Sequence, residues 1–258
     1  MTRAAARAPL NNSRLIRFLT ENGMMGVAVR EEDVGHQLGH WLNFRQAIAL
    51  HKLLGQTSTP MSTPLSSHSG RGTGMSREAL RAHVDKVRTA LEQSILQGAA
   101  QGSGLSRIDM PLAELVEPID PKTAFEPYRR FMASHQRQME AVVSTLRQQV
   151  RGQLSQLPAM QTLSALDAQF ESVLNEREAL LLGQVAKLLE KRFVQALKQH
   201  LKNKAETPSV GDPVPGADTT AWLMPLRQAL RAALLAELDT RLQPTLGLLE
   251  AYNPENPS

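Results

Sequence analysis

The sequence predicts an all-α fold: an elongated helical bundle built on a long antiparallel helical hairpin, with flexible linkers. Three observations predict it. Leu, Ala, Gln, Arg and Glu are abundant, and such side chains lose little rotamer freedom in a helix. Aromatics make up only 4% of the 258 residues, and runs of strand formers are scarce. Apolar residues instead recur at three- and four-residue spacing over long stretches, separated by clusters of Pro, Gly and Ser.

Five helical stretches follow. The first covers roughly Ser13 to Thr20, with Leu15, Phe18 and Leu19 on one side. "GMMGVAVR" reads as an extended connector. Asp33 is placed to cap a second helix that runs to Leu54, and Gly55 stands where a C-terminal glycine belongs. "GQTSTPMSTPLSSHSGRGTG" is too poor in apolar side chains to offset its ordering entropy and reads as a flexible linker. Ser76 caps a third helix through about Gln97, and "RIDMPLAELVEPID" reads as mostly irregular.

Asp120 followed by Pro121 is a strong helix start: a capping carboxylate, then a residue preset for the first turn. From there Phe125, Tyr128, Met132, His135, Met139, Val142 and Leu146 keep a three-to-four spacing, continued by Val150 and Leu154. Pro158 breaks the run. A second long segment extends from Ala159 to about Asn203, with Leu163, Leu166, Phe170, Leu174, Leu181, Val185, Leu188 and Phe193 on its apolar side. At 1.5 Å per residue the two helices measure roughly 50 and 65 Å, and a tight turn between them makes the hairpin. "KAETPSVGDPVPGADT" is a second linker; Asp218 then opens a last helix, bent or restarted at Pro225 and Pro244. The expected organisation is an N-terminal helical segment (1–55), a linker (56–75), the hairpin region (76–204), a Pro/Gly linker (205–217) and a C-terminal helix (218–258).

The chain holds no cysteine, which excludes disulfides, cysteine-ligated zinc, iron–sulfur clusters and thiol catalysis. Its hydrophobic content of 41% argues against wholesale disorder, and a net charge of +4 permits anionic partners without demanding them. No apolar run approaches the roughly 18 residues that span a bilayer. The start, "MTRAAARAPLNNSRLIRFL", is Arg-rich and free of acids, superficially like an organellar presequence. It lacks the continuous apolar core of a secretory signal and reads as a basic, frayed N-terminus. A cytoplasmic location fits these features.

Little in the chain looks like chemistry. "VGHQLGHWLNF" sets His36 and His40 four residues apart, on one face of a helix, and His51 returns to nearly the same azimuth. The geometry suits a metal, but no glutamate stands between the histidines as a base. Val34, Leu38, Trp41, Leu42, Ile48 and Leu53 define an apolar face roughly opposite them, so exposed imidazoles on a polar face are the plainer reading. Leu38, Trp41 and Leu42 are then candidates for interaction with another helix. Gly35 and Gly39 beside them either form a strip that lets a helix approach closely or lie ahead of the helix start.

"SGRGTGMSR" lacks the leading strand and the G-x-x-x-x-G-K-S/T spacing of a phosphate loop. Phe125, Tyr128 and Met132 share a face flanked by Arg129 and Arg130 and form a second candidate interaction surface; His135, in the same seam, reads as a hydrogen-bonded core histidine. Lys187, Lys191, Lys198 and Lys202 fall within about 60° of one another over some 22 Å of helix. Such a row can follow a phosphate backbone, or it can complement the helix macrodipole and keep the surface soluble. No aromatic side chains interleave with it, so base-specific recognition is not expected. Glu171, Glu176, Glu178, Glu190, Glu237 and Asp239 read as solvated faces, and no nucleophile–base pairing is visible.

Three segments, "LGHWLNFRQAIALHKLL", "FEPYRRFMASHQRQMEAVVSTLRQQVR" and "ALLAELDTRLQPTLGLLEA", resemble in order and spacing an uncharacterised proteobacterial family, domain of unknown function family 3348. The likeness covers most of the chain outside the linkers, with Phe44 where a second tryptophan is expected. The resemblance implies no activity and no catalytic residues. It implies, by association only, a cytoplasmic accessory role in an envelope-associated assembly.

The sequence thus leads to a non-enzymatic helical interaction or scaffold protein without a cofactor, self-associating or docking on a helical partner. Two alternatives stand beside it: non-specific nucleic-acid binding through the lysine row, and metal binding through His36, His40 and His51.

Overall fold

The structure, a computed structural model, describes residues 14–21, 44–56, 75–112, 115, 119–206 and 221–252. Among them it is all-α, with no strand. The helices are α1 (Arg14–Glu21), α2 (Phe44–Gln56), α3 (Arg77–Gln97), α4 (Pro121–Ser155), α5 (Gln161–Glu206) and α6 (Met224–Ala251), with 3₁₀ turns at Pro158–Met160 and Ala221–Leu223. Residues 57–74 and 207–220, the bulk of the two expected linkers, lie outside the described residues, as does Asp33.

Local chemistry sets the helix ends. The Ser76 hydroxyl accepts from the amide of Ala79 at 3.2 Å and starts α3. The Asp120 carboxylate accepts from the Thr123 amide at 3.0 Å and the Thr123 hydroxyl at 2.6 Å, and Pro121 supplies the first turn of α4. These bonds favour the charged carboxylate and hold its pKa below the usual value. Gly98 ends α3 with φ +87°, its amide donating to the Ser94 carbonyl at 3.1 Å, as a left-handed C-cap requires. Gly55, expected in that role for α2, instead lies inside the helix's last turn without a positive φ. Pro225 falls in the first turn of α6, where a missing N–H costs nothing, and Pro244 lies within an uninterrupted helix rather than at a restart.

The chain divides into two compact units, one drawing on residues 1–25, 89–140 and 181–240, the other on 26–88, 141–180 and 241–258. In the first unit Leu15, Phe18 and Leu19 of α1 are buried with Phe125, Tyr128 and Met132 of α4. Leu182, Val185, Leu189, Phe193 and Leu197 of α5, with Leu226 and Leu230 of α6, complete that core. Phe193 lies 5.4 Å from Phe125, 5.8 Å from Tyr128 and 5.9 Å from Trp222, ring centroid to centroid. Polar bonds tie the edges: Gln136 Nε2 donates to Glu237 at 2.9 Å, and an Arg227 Nη2 donates to the Pro111 carbonyl at 3.1 Å.

In the second unit the 3₁₀ turn at Pro158–Met160 brings α5 back against α4, where the Ser164 hydroxyl donates to the Arg151 carbonyl at 3.3 Å. Val143, Leu146, Val150 and Leu154 of α4, Val173 of α5, Leu80 and Val84 of α3, and Leu242, Leu248 and Leu249 of α6 are buried. The Tyr252 hydroxyl donates to the Met75 carbonyl at 3.0 Å, and Met75 in turn donates its amide to Gln153 Oε1 at 3.0 Å. Of the adjacent pair on α4 it is Val143, not the expected Val142, that is buried.

Two glycines test this account of the helices. Gly98→Ala forces a side chain into a left-handed conformation and is expected to cost about 1–2 kcal/mol. Gly183, inside α5 with open space around it, is expected to gain about 0.5–1 kcal/mol on change to Ala. Urea unfolding followed by circular dichroism measures both, and equal effects of the two changes would contradict the assignment.

Candidate functional site

The residues singled out by sequence fall into three groups. His36, His40, Leu38, Trp41 and Leu42 lie outside the described residues. His51 is exposed on α2, and among the described residues no group of three metal-binding side chains comes together. Phe125, Tyr128 and Met132, expected as an interaction surface, are buried in the core of the first unit and are covered by the protein's own helices. Their three-to-four spacing marks a buried stripe, which looks the same in sequence whether the covering helix is internal or foreign. Lys187, Lys191, Lys198 and Lys202 are all exposed.

His135 is 1% exposed, its ring edge-on to Phe131 at 4.6 Å, and its Nε2 has no hydrogen-bond partner. The histidine expected as a hydrogen-bonded core or interface residue is thus buried, with its Nε2 unpartnered beside the Phe131 ring. Burial disfavours the charged form and lowers its pKa from 6.5 to about 4.

Among the acids expected as solvated faces, Glu171, Glu178, Glu190 and Asp239 pair with arginines and Glu237 accepts from the half-buried amide of Gln136, while the side chain of Glu176 lies outside the described residues. Glu190 pairs with Arg129 at 3.0 Å, Glu178 with Arg241 at 3.2 Å and Asp239 with Arg14 at 3.2 Å. Glu237, accepting from Gln136, is itself buried.

The densest charged group takes in Glu171 from that set and three residues outside it, Arg147, Arg151 and Asp167. In the second unit Asp167 accepts a two-point bond from Arg147, Nε to Oδ2 at 2.9 Å and Nη2 to Oδ1 at 2.6 Å. Arg151 donates to Asp167 at 3.2 Å and to Glu171 at 2.7 Å. The Arg147 and Asp167 side chains are only 8% and 9% exposed. Two cations and two anions balance, so the cluster ties α4 to α5 and leaves no spare charge for catalysis. A signal was available in sequence: Arg147 and Arg151 are four apart, as are Asp167 and Glu171, and Pro158 lies between the pairs.

Among the described residues, two exposed helix faces bear on the binding of a partner. On α2, Gln46 and Leu50 turn inward, lining a small gap with Gln169, Phe170 and Val173 of α5. Ile48, on the opposite side of α2, is 51% exposed; Leu54, one turn beyond Leu50 at the helix's C-terminal end, is 49% exposed, and Ala47 and Gly55 are exposed as well. Ile48, expected on the buried face, therefore points outward. The other open surface is the outer side of α5, with its lysines.

A family model described as a protein of unknown function (DUF3348) matches residues 1–254. No curated protein and no solved structure matches the chain.

Removing one partner from the buried cluster strands an arginine: Asp167→Ala is expected to lose about 3–5 kcal/mol of stability. Arg129→Ala, at an exposed pair, is expected to lose no more than about 1 kcal/mol. Denaturant titration separates the two. His135 gives a pH test. The unfolded imidazole takes up a proton near 6.5 and the folded one only near 4. Stability is therefore complete above 6.5 and falls as pH drops from 6.5 toward 4. Thermal melts across that window are expected to show the fall, and His135→Phe to flatten it.

Proposed function

The chain belongs to the protein family of unknown function DUF3348, and we propose that it works as a non-enzymatic helical interaction protein, holding a partner helix rather than transforming a substrate. The outward face of α2 carries the proposal. Ile48 and Leu54 each leave about half of their surface in water. Burying a large aliphatic side chain is worth about 1.5–3 kcal/mol, which a monomer forgoes at these positions. Exposed Ala47 and Gly55 flank the pair at either end and permit close approach there, with exposed His51 between Ile48 and Leu54, which suits another helix better than a loop. The buried Arg147, Asp167, Arg151 and Glu171 side chains are paired with one another across α4 and α5, which supports a scaffold role.

A cytoplasmic accessory role in an envelope-associated assembly belongs to the same reading. No described helix is long and apolar enough to cross a membrane, so attachment in this proposal passes through the partner.

The test places a photo-crosslinking amino acid at position 48 or 54 of the full-length chain in cells. An adduct is expected, either at twice the chain mass or with a distinct helical protein identified by mass spectrometry. It is expected to disappear from the position-54 probe when Ile48 is changed to Glu. A strict monomer by light scattering, together with no adduct at either position, would overturn the proposal.

A further inference from the structure

The outer side of α5 carries a second inference, independent of α2. Leu189, Phe193 and Leu197 of this helix are buried in the first unit's core. On a 3.6-residue helix the side opposite them holds Gln184, Lys187, Lys191, Gln195, Lys198 and Lys202. All six are exposed. Lys187, Lys191 and Lys198 form no ion pair among the described residues, and Lys202 makes a loose one with exposed Glu206 at 3.7 Å. The other acid on this stretch, Glu190, is turned to Arg129. The result is a row of lysine and glutamine about 27 Å long, with no carboxylate within it.

Two ordinary explanations account for little of this row. The macrodipole acts within about the last turn of a helix, so it explains Lys202 and Lys204 but not Lys187 or Lys191, which lie several turns upstream. Surface solubility is served by charges of both signs interspersed, whereas this strip carries one sign only. A straight row on a rigid helix, its lysines about 6, 10 and 6 Å apart with Gln195 in the wider gap, suits a linear polymer of closely spaced charges. Duplex DNA offers one negative charge per about 1.7 Å of its axis. A bilayer surface is the poorer match, because the same face holds no apolar side chain to enter the acyl boundary.

We propose that the Gln184–Lys202 face of α5 binds the phosphate backbone of nucleic acid without reading its sequence. The glutamines donate to phosphate oxygens and the lysines displace condensed counterions. With about four phosphates neutralised, log K falls against log salt with a slope of about −3.6, so affinity drops roughly a hundredfold between about 50 and 200 mM salt.

Fluorescence anisotropy with the full-length protein and a labelled duplex of about 20 base pairs reads this directly. The K191Q/K198Q double variant, made at exposed positions and checked for its fold by circular dichroism, is expected to bind more weakly and to reduce the slope by about 1.8. A scrambled duplex is expected to bind with equal affinity. No binding at about 50 mM salt, or binding that the double variant leaves unchanged, overturns the proposal. Variant-sensitive binding to phosphatidylserine vesicles, without binding to duplex, also overturns it and assigns the face to a membrane surface.

Discussion

Phe193 is the contact on which the first unit turns. Its ring is almost fully buried and meets Phe125 and Tyr128 from α4 and Trp222 from the turn ahead of α6. The chain has only ten aromatic residues, two Trp, two Tyr and six Phe. Four of them are spent in this one cluster, and Phe18 of α1 joins the same core. Long helices made mostly of Leu and Ala pack along any of several near-equivalent registers. A few large, shape-specific rings select one. Everything else in the unit, from the Gln136–Glu237 bond to the Arg129–Glu190 pair, decorates a register that the rings have set.

The second unit has no comparable aromatic cluster among its described residues, and a different device stands in its place. Its helices meet through aliphatic side chains and through the Arg147–Asp167–Arg151–Glu171 cluster. A buried ion pair is a poor source of net stability but a strict condition on pairing, because a charge left without its partner is costly. Specificity is thus supplied by rings in one unit and by charge in the other.

The punctuation of the fold was legible in the sequence. Ser76 and Asp120 cap through side-chain bonds to residues three positions on, and Pro121 and Pro158 act through their own rings, so their effect needs no knowledge of distant neighbours. The buried stripe of α4 was legible too, since Phe125, Tyr128, Met132, His135, Met139 and Leu146 all sit inside. What covers a stripe was not, and for that reason Phe125, Tyr128 and Met132 were mistaken for a docking surface. The acids were misread for a related reason. A lone carboxylate on a helix looks solvated until its cross-helix arginine is placed opposite it, and that placement depends on register. Ile48 fails similarly: its azimuth is clear, but which side of α2 faces inward is decided by Phe170 and Val173 of α5.

The arginine–carboxylate cluster has a mechanical consequence. Apolar stripes slide past each other with only a gradual loss of contact, so helices joined by leucines alone yield smoothly under shear. Here Asp167 holds both arginines at once in a nearly dry seam, so a slip of one turn, about 5.4 Å, would break one or both of its seated contacts before any new pairing formed. The α4–α5 contact in this unit should therefore behave as a latch with a single seated position: stiff to small loads, then released abruptly.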